Sequence, residues 1–222
     1  MKIGLVVAIE LDCLFTHYPD IHKLNSPRGF EVYQIGHKDI YVIRSGMGEI
    51  AAAAACQYLI CTYGVDIIVN YGVVGGLKEE MKIAKVTVLD RIVHYRYDCS
   101  EFMDLQIGQV DGKDSIFLYP DSSLVEKALQ LENSLVKATC LSGDKFVSTA
   151  EEKRSISMKF DGDVCDMESA GIFLTCEANG VPCLFLKAVS DGLQDGAASF
   201  YEQLQQVSLF CLKITDQIIS GL

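Results

Sequence analysis

The stretch from Asp163 to Gly192, D-V-C-D-M-E-S-A-G-I-F-L-T-C-E-A-N-G-V-P-C-L-F-L-K-A-V-S-D-G, constrains this chain more than any other part of it. A carboxylate pair, Asp166 and Glu168, opens an apolar segment that reads as a helix and stops at Asn179-Gly180, a pair suited to a left-handed helix terminus. An apolar strand, Cys183 to Val189, follows and carries Ser190-Asp191-Gly192 at its carboxyl end. Ligands of open α/β sheets sit just beyond the carboxyl ends of strands. Ionised side chains are rarely placed there for packing, so this pattern aims acidic groups at one cleft.

The rest of the chain repeats the alternation. Lys2–Ile9 is an apolar run of strand length, and Glu31–Ile35 with Lys38–Arg44 around Gly36-His37 predicts a hairpin. Glu49–Tyr63 is alanine-rich and helix-favouring, with Gly64 placed to end it. Asp66–Tyr71 predicts a strand running into a glycine-rich loop, Gly72–Gly76. Strands are expected over Lys85–His94, Ser115–Tyr119 and Val136–Leu141. Helices are expected over Asp121–Glu132, from Ser148 or Thr149 to about Lys159, and from Ser199 to the end, with Phe200, Leu204, Val207, Cys211, Ile214 and Ile218 on the apolar face. Strand–helix alternation of this kind defines an α/β fold. With no repeat, no proline-rich linker and no break in composition, residues 1–222 read as one domain.

Composition narrows the partners. Lys and Arg number 19 against 30 Asp and Glu, a formal charge of -11, which disfavours nucleic acid and anionic membrane surfaces. The apolar run at the amino terminus is short and ends in Glu10 and Asp12, so it reads as a buried strand rather than a signal peptide. No run is long enough for a membrane span, and a cytoplasmic location is expected. The nine cysteines contain no C-x-x-C pair, and most lie in apolar segments, which suits core thiols in a reducing compartment. The histidines, His17, His22, His37 and His94, have no ligand spacing, so no metal site is expected.

Loops after successive strands carry the remaining signal: Ile9-Glu10-Leu11-Asp12, Gly72-Val73-Val74-Gly75-Gly76, Ser142-Gly143-Asp144-Lys145-Phe146-Val147 and Ser190-Asp191-Gly192. S-G-D-x-F, then D-M-E-S-A, then A-V-S-D-G is specific as an ordered set, although each motif alone is weak. With these motifs the chain resembles the nucleoside phosphorylase/nucleosidase superfamily, and within it the bacterial 5′-methylthioadenosine/S-adenosylhomocysteine nucleosidases. The likeness runs from Lys2-Ile3-Gly4 to the final helix and is weakest between Arg96 and Lys137. It implies a three-layer α/β/α fold around a mixed, twisted sheet, a small-molecule nucleoside substrate, no cofactor, and a homodimer.

The resemblance also implies residue roles. Cleavage of an N-glycosidic bond passes through a ribosyl cation, and the departing purine needs a proton. Asp191 matches the residue that protonates the base, with Ser190 orienting it. Glu168 matches the acceptor of the ribose hydroxyls, Met167 the packing on the sugar face, Phe146 the ring stacked on the base and Val147 the backbone that reads its edge. Phe200 matches a further substrate-contacting position. Two positions depart from the pattern. Asp12 stands where a water-activating glutamate is expected, with Glu10 as the substitute if the loop is re-registered. Val73 stands where a Ser or Thr hydroxyl is expected to position the nucleophile, and an isopropyl group offers no donor.

The leading reading is hydrolysis of a 5′-substituted adenosine to adenine and a thioribose. The alternatives are phosphorolysis, for which Arg44 is the supporting cation, and a nucleoside-binding protein that has lost turnover through the changes at Asp12 and Val73.

Overall fold

The computed structural model describes every residue except Pro27, Arg28 and His37, so the tip of the expected hairpin at His37 lies outside the described residues. In chain order the elements are β1 (Ile3–Val7), α1 (Leu11–His17), β2 (Ile21–Lys23), β3 (Glu31–Ile35), β4 (Ile40–Arg44), α2 (Glu49–Tyr63), β5 (Ile67–Gly76) and β6 (Val86–His94). There follow β7 (Phe117–Leu118), α3 (Ser122–Leu131), β8 (Val136–Ser142), α4 (Ala150–Phe160), β9 (Val164–Asp166), α5 (Ser169–Asn179), β10 (Cys183–Asp191) and α6 (Ala197–Gly221). Among the described residues no helix is long and apolar enough to cross a membrane.

Among the described residues ten strands form one mixed sheet flanked by helices. β5 is its hub, parallel to β1 on one side and to β10 on the other. From β10 the pairing runs to β6, β8 and β9, and β9 returns antiparallel to β5, which closes a ring of five strands. β1, β4, β3 and β2 extend from β5 as an open arm.

Period-two alternation in the strands builds the two larger of three apolar clusters among the described residues. Leu5, Val7, Val69, Tyr71, Leu184, Leu186 and Ala188 point to the face covered by α6, α1 and α3. Val6, Ile68, Phe185 and Val189 point to the face covered by α2 and α5. Both faces of β1, β5 and β10 are therefore buried, which is why these strands read as continuous apolar runs. Each fully buried Leu, Phe or Val contributes roughly 1.5–3 kcal/mol relative to exposure.

The ends of α2 are set by its neighbours. Gly48, at φ +102°, offers no side-chain cap, and Asp144 Oδ1 accepts the Glu49 N–H across 2.8 Å instead. Gly64 ends the helix at φ +59°. The α2–α5 packing needs Gly171, where a β-carbon would stand 2.4 Å from the Glu49 carbonyl oxygen. Asp121 caps α3 through the Ser123 and Leu124 N–H groups, and Thr149 caps α4 through that of Glu152.

Several sequence expectations are corrected. Gly72–Gly76 is not a loop but the second half of β5, held by ladders to β10 and β9. Asp166 does not open a helix: it ends β9, and α5 begins at Ser169 with Glu168 just outside it. The strand expected over Ser115–Tyr119 is only Phe117–Leu118. α1, β2 and β9 are additions, and α6 begins two residues before the expected start.

Candidate active site

The parallel strands β1, β5 and β10 end on the same side, where they meet the end of β9, the loop after β8 and the start of α6 around a half-open pocket. Its lining includes Glu10, Val73, Phe146, Val147, Met167, Glu168, Ser190, Asp191 and Phe200, and also Ile9, Met47, Lys145 and Asp166. Asp12 is not among these residues; it is exposed in the first turn of α1. β1 ends at Val7 and α1 starts at Leu11, so the turn between them points Glu10 inward and leaves Asp12 on the helix surface.

Glu10 is only 5% exposed and firmly held. Its Oε2 accepts the Ala8 and Ile9 N–H groups at 3.1 and 2.9 Å, and its Oε1 accepts that of Val73 at 3.2 Å. Val73 thus contributes a backbone donor to the carboxylate. Gly72 makes the room, since a β-carbon there would stand 2.7 Å from Glu10 Oε1.

Asp191 is brought to the pocket by a bulge. Val189 opposes Val74 and Asp191 opposes Gly75, so Ser190 is the extra residue of β10. Bulges beside functional sites re-aim side chains in this way. Ser190 Oγ donates to Asp191 Oδ1 at 2.8 Å, and Lys153 Nζ lies 2.7 Å from Asp191 Oδ2. A β-carbon at Gly75 would come within 3.3 Å of Asp191 Oδ2 and 3.1 Å of Cys165 Sγ. Burial pushes the Asp191 carboxyl above the ordinary aspartate range, although Lys153 and Ser190 pull against that rise.

The pair Asp166 and Glu168 divides into two different groups. Asp166 Oδ2 is 2.9 Å from the buried Lys187 ammonium and also bonded to Ser169 Oγ, while Oδ1 accepts the N–H groups of Glu168 and Ser169. Burial pushes the Asp166 carboxyl up, but Lys187 and the Ser169 hydroxyl outweigh it and hold it below the usual range. Among the described residues Glu168 has no ion-pair partner. Its Oε1 accepts the Gly48 N–H at 2.9 Å, and burial followed by the nearby Asp166 charge pushes it up to about 7.

The pocket walls are apolar where a planar ring would sit. Phe146 and Phe200 meet edge to face with centroids 5.4 Å apart, and Val147 is buried behind them. Lys145, at the rim, is paired with Glu152 at 2.6 Å. Arg44 does not line the pocket; its Nη1 is 3.1 Å from Glu31 Oε2 on the exposed face of the β3–β4 hairpin. Sequence reasoning missed Lys153, Met47 and Gly48. Among the described residues no group of His, Cys, Asp and Glu is arranged to hold a metal ion.

The chain belongs to the phosphorylase superfamily, whose family pattern it matches over residues 2–220. More particularly, it is 30% identical over 200 residues to the 5′-methylthioadenosine/S-adenosylhomocysteine nucleosidase of Shewanella denitrificans, covering 86% of each chain. The nucleosidase of the same name from Haemophilus ducreyi is also 30% identical, with 86% of this chain and 85% of the relative covered. Among solved structures, the Helicobacter pylori nucleosidase in complex with a pyrrolidine-based ligand superposes with a TM-score of 0.92 at 25% identity, over 100% of this chain and 99% of the other. Futalosine hydrolase of Helicobacter pylori strain 26695 superposes equally well, with a TM-score of 0.92 at 26% identity over 100% and 98% of the two chains.

Proposed function

We propose that this chain hydrolyses the N-glycosidic bond of a 5′-substituted adenosine of the methylthioadenosine or adenosylhomocysteine type. The observation that carries the reading is the presence of Glu10, Glu168 and Asp191 around one apolar-walled pocket, each held by different partners. Glu10, fixed by three backbone N–H groups, is the base that takes a proton from the attacking water. Glu168 accepts from the ribose hydroxyls, and its negative charge favours the developing ribosyl cation. Asp191 gives its proton to the departing base, which stacks on Phe146 while Met167 packs on the sugar.

Water rather than phosphate is the nucleophile in this reading. Phosphate sites collect several donors and usually arginine. The described lining contains no arginine, Lys145 is engaged by Glu152, and Lys187 is engaged by Asp166. The lost-turnover reading leaned on the changes at both Asp12 and Val73; Glu10, which lines the pocket, offers a carboxylate in place of Asp12, and Val73 still brings no hydroxyl.

The protein is further proposed to act in the cytoplasm as a homodimer. Met47 and Ile50 beside the start of α2, and Phe102 in the irregular stretch before β7, are exposed apolar side chains suited to an interface. The test of function is incubation with 5′-methylthioadenosine, S-adenosylhomocysteine, futalosine and unsubstituted adenosine, with and without phosphate, followed by chromatography. Free base and free sugar without phosphate are expected. Ribose-1-phosphate formed only with phosphate would establish phosphorolysis, and bound nucleoside without products would establish a binding protein.

A further inference from the structure

Lys153, on α4, has no exposed side-chain surface, yet its ammonium reaches the acid at the floor of the pocket. Nζ lies 2.7 Å from Asp191 Oδ2, 2.7 Å from the Gly192 carbonyl oxygen and 3.1 Å from that of Asp195. An ammonium has three protons, and these three acceptors use them all. Removing such a charge from water costs several kcal/mol, so its burial here demands good geometry and a partner charge.

The arrangement fixes Asp191 from both sides, with Oδ2 held by Lys153 and Oδ1 by Ser190. The same ammonium fastens the turn from Gly192 to Asp195, which the Gly192 N–H closes onto Asp195 Oδ2 at 2.8 Å. That turn leads into α6 and so to Phe200.

We propose that Lys153 is a positioning residue for Asp191, orienting its carboxyl group and stabilising the carboxylate that remains once the proton has gone to the base. The inference rests on the function proposed above. In the step, the bond between the sugar C1′ and the base nitrogen breaks and its electron pair stays with the base. The Asp191 carboxyl proton moves to a ring nitrogen of that base. Water adds its oxygen to C1′ and releases a proton to Glu10. Negative charge appears on Asp191 as its proton leaves, and a fixed cation already stands 2.7 Å away. Charge stabilised as it forms lowers the barrier, whereas a cation arriving later would not. Burial of Asp191 opposes the cation and keeps a proton available at higher pH than for a free aspartate.

A strut that merely joined α4 to the turn would give different results from a partner of the acid. Lys153→Arg, Lys153→Gln and Lys153→Met separate the two, the Gln variant keeping a donor for the carbonyls where Met risks misfolding. With Lys153→Gln, base release from a nucleoside is expected to fall by about tenfold to a hundredfold. Its basic limb in the kcat/KM profile is expected to move to higher pH, and Lys153→Arg to recover most of the rate. A 4-nitrophenyl riboside, whose leaving group departs as a stable anion, is expected to lose less than about threefold. In the unliganded protein the Asp191 carboxyl, followed by carbon-13 NMR, is expected to titrate at higher pH in Lys153→Gln than in the parent. Equal losses on both substrates, or an unmoved Asp191 titration, overturns the proposal. A parent that releases base from no nucleoside overturns the proposed function instead, and the Asp191 titration still decides whether Lys153 governs that carboxyl.

Discussion

Gly72 holds open the space that the Glu10 carboxylate fills, a β-carbon at Gly72 standing 2.7 Å from Glu10 Oε1. A missing side chain on β5 thus allows a charged side chain from the β1–α1 turn to lie against it. Gly72→Ala is expected to leave the sheet intact but push Glu10 off its three backbone donors. Single-turnover base release should fall by about tenfold or more, with a small change in Tm. Parental rates would show that Glu10 needs no such placement.

Glu10→Gln and Asp12→Asn are expected to part company. The first removes the proposed base and should lower hydrolysis by about 10²–10⁴-fold while nucleoside still binds. The second alters an exposed helix residue and should stay within about twofold of the parent. Rapid-quench measurement of base release on both proteins makes the comparison, and the reverse ranking would return the role to Asp12.

Asp191→Asn is expected to abolish most base release and also to destabilise the fold. Lys153 would be left buried against a neutral amide and would lose the partner charge it meets whenever Asp191 ionises. Urea denaturation checks this. The double variant Lys153→Met/Asp191→Asn should recover much of the stability and none of the activity.

Glu168 is raised to about 7, so between the unfolded glutamate range and pH 7 the folded state binds more protons than the unfolded state. Its contribution to stability is therefore largest at low pH and declines as pH rises through that window. Ribose hydroxyls donate best to the carboxylate, so affinity for a nucleoside analogue should instead strengthen through pH 7. Denaturation and binding titrations from pH 5.5 to 8.5 on the parent and Glu168→Gln test both signs. A variant with the parent's pH dependence would take Glu168 out of sugar recognition.

Association can be tested at Ile50, 83% exposed, and at Phe102, 77% exposed. The parent is expected to sediment as a dimer at micromolar concentration, and Ile50→Asp with Phe102→Asp as a monomer. A monomeric parent removes the proposed assembly.

The sequence made the strong periodic elements legible, because their signals are local. α2 from Glu49 to Tyr63, the cap of α3 at Asp121 and the strand from Cys183 needed only patterning and end chemistry. Gly72–Gly76 misled because glycine weakens an isolated strand, whereas this one is held by neighbours on both sides. β9 is three residues long and exists through its pairing with β8 and β5. Within the site, seven of the expected substrate-contacting residues line one pocket with Asp191 and Glu10. The choice between Glu10 and Asp12 depended on where β1 ends, a boundary the apolar run did not mark. Lys153 had no sequence signal, since a lysine in a polar helix shows nothing of the carboxylate it will meet 38 residues on.

The ring β5–β10–β6–β8–β9 bears on how a ligand gets in. Asp166 and Asp191 lie on strands of that ring, and moving them apart means tearing a hydrogen-bonded ladder. Off the ring lie the segment from Ser45 to Gly48, with φ of +80° at Gly46 and +102° at Gly48, and the first turn of α6. Gly48 donates to Glu168 and Phe200 packs edge to face on Phe146, so both segments touch residues that line the pocket. Amide exchange is accordingly expected to be slow along β5 and β10 whether or not a nucleoside is bound, and to respond to ligand in these two segments, so that admitting a nucleoside asks for rearrangement at the border of the ring rather than within it.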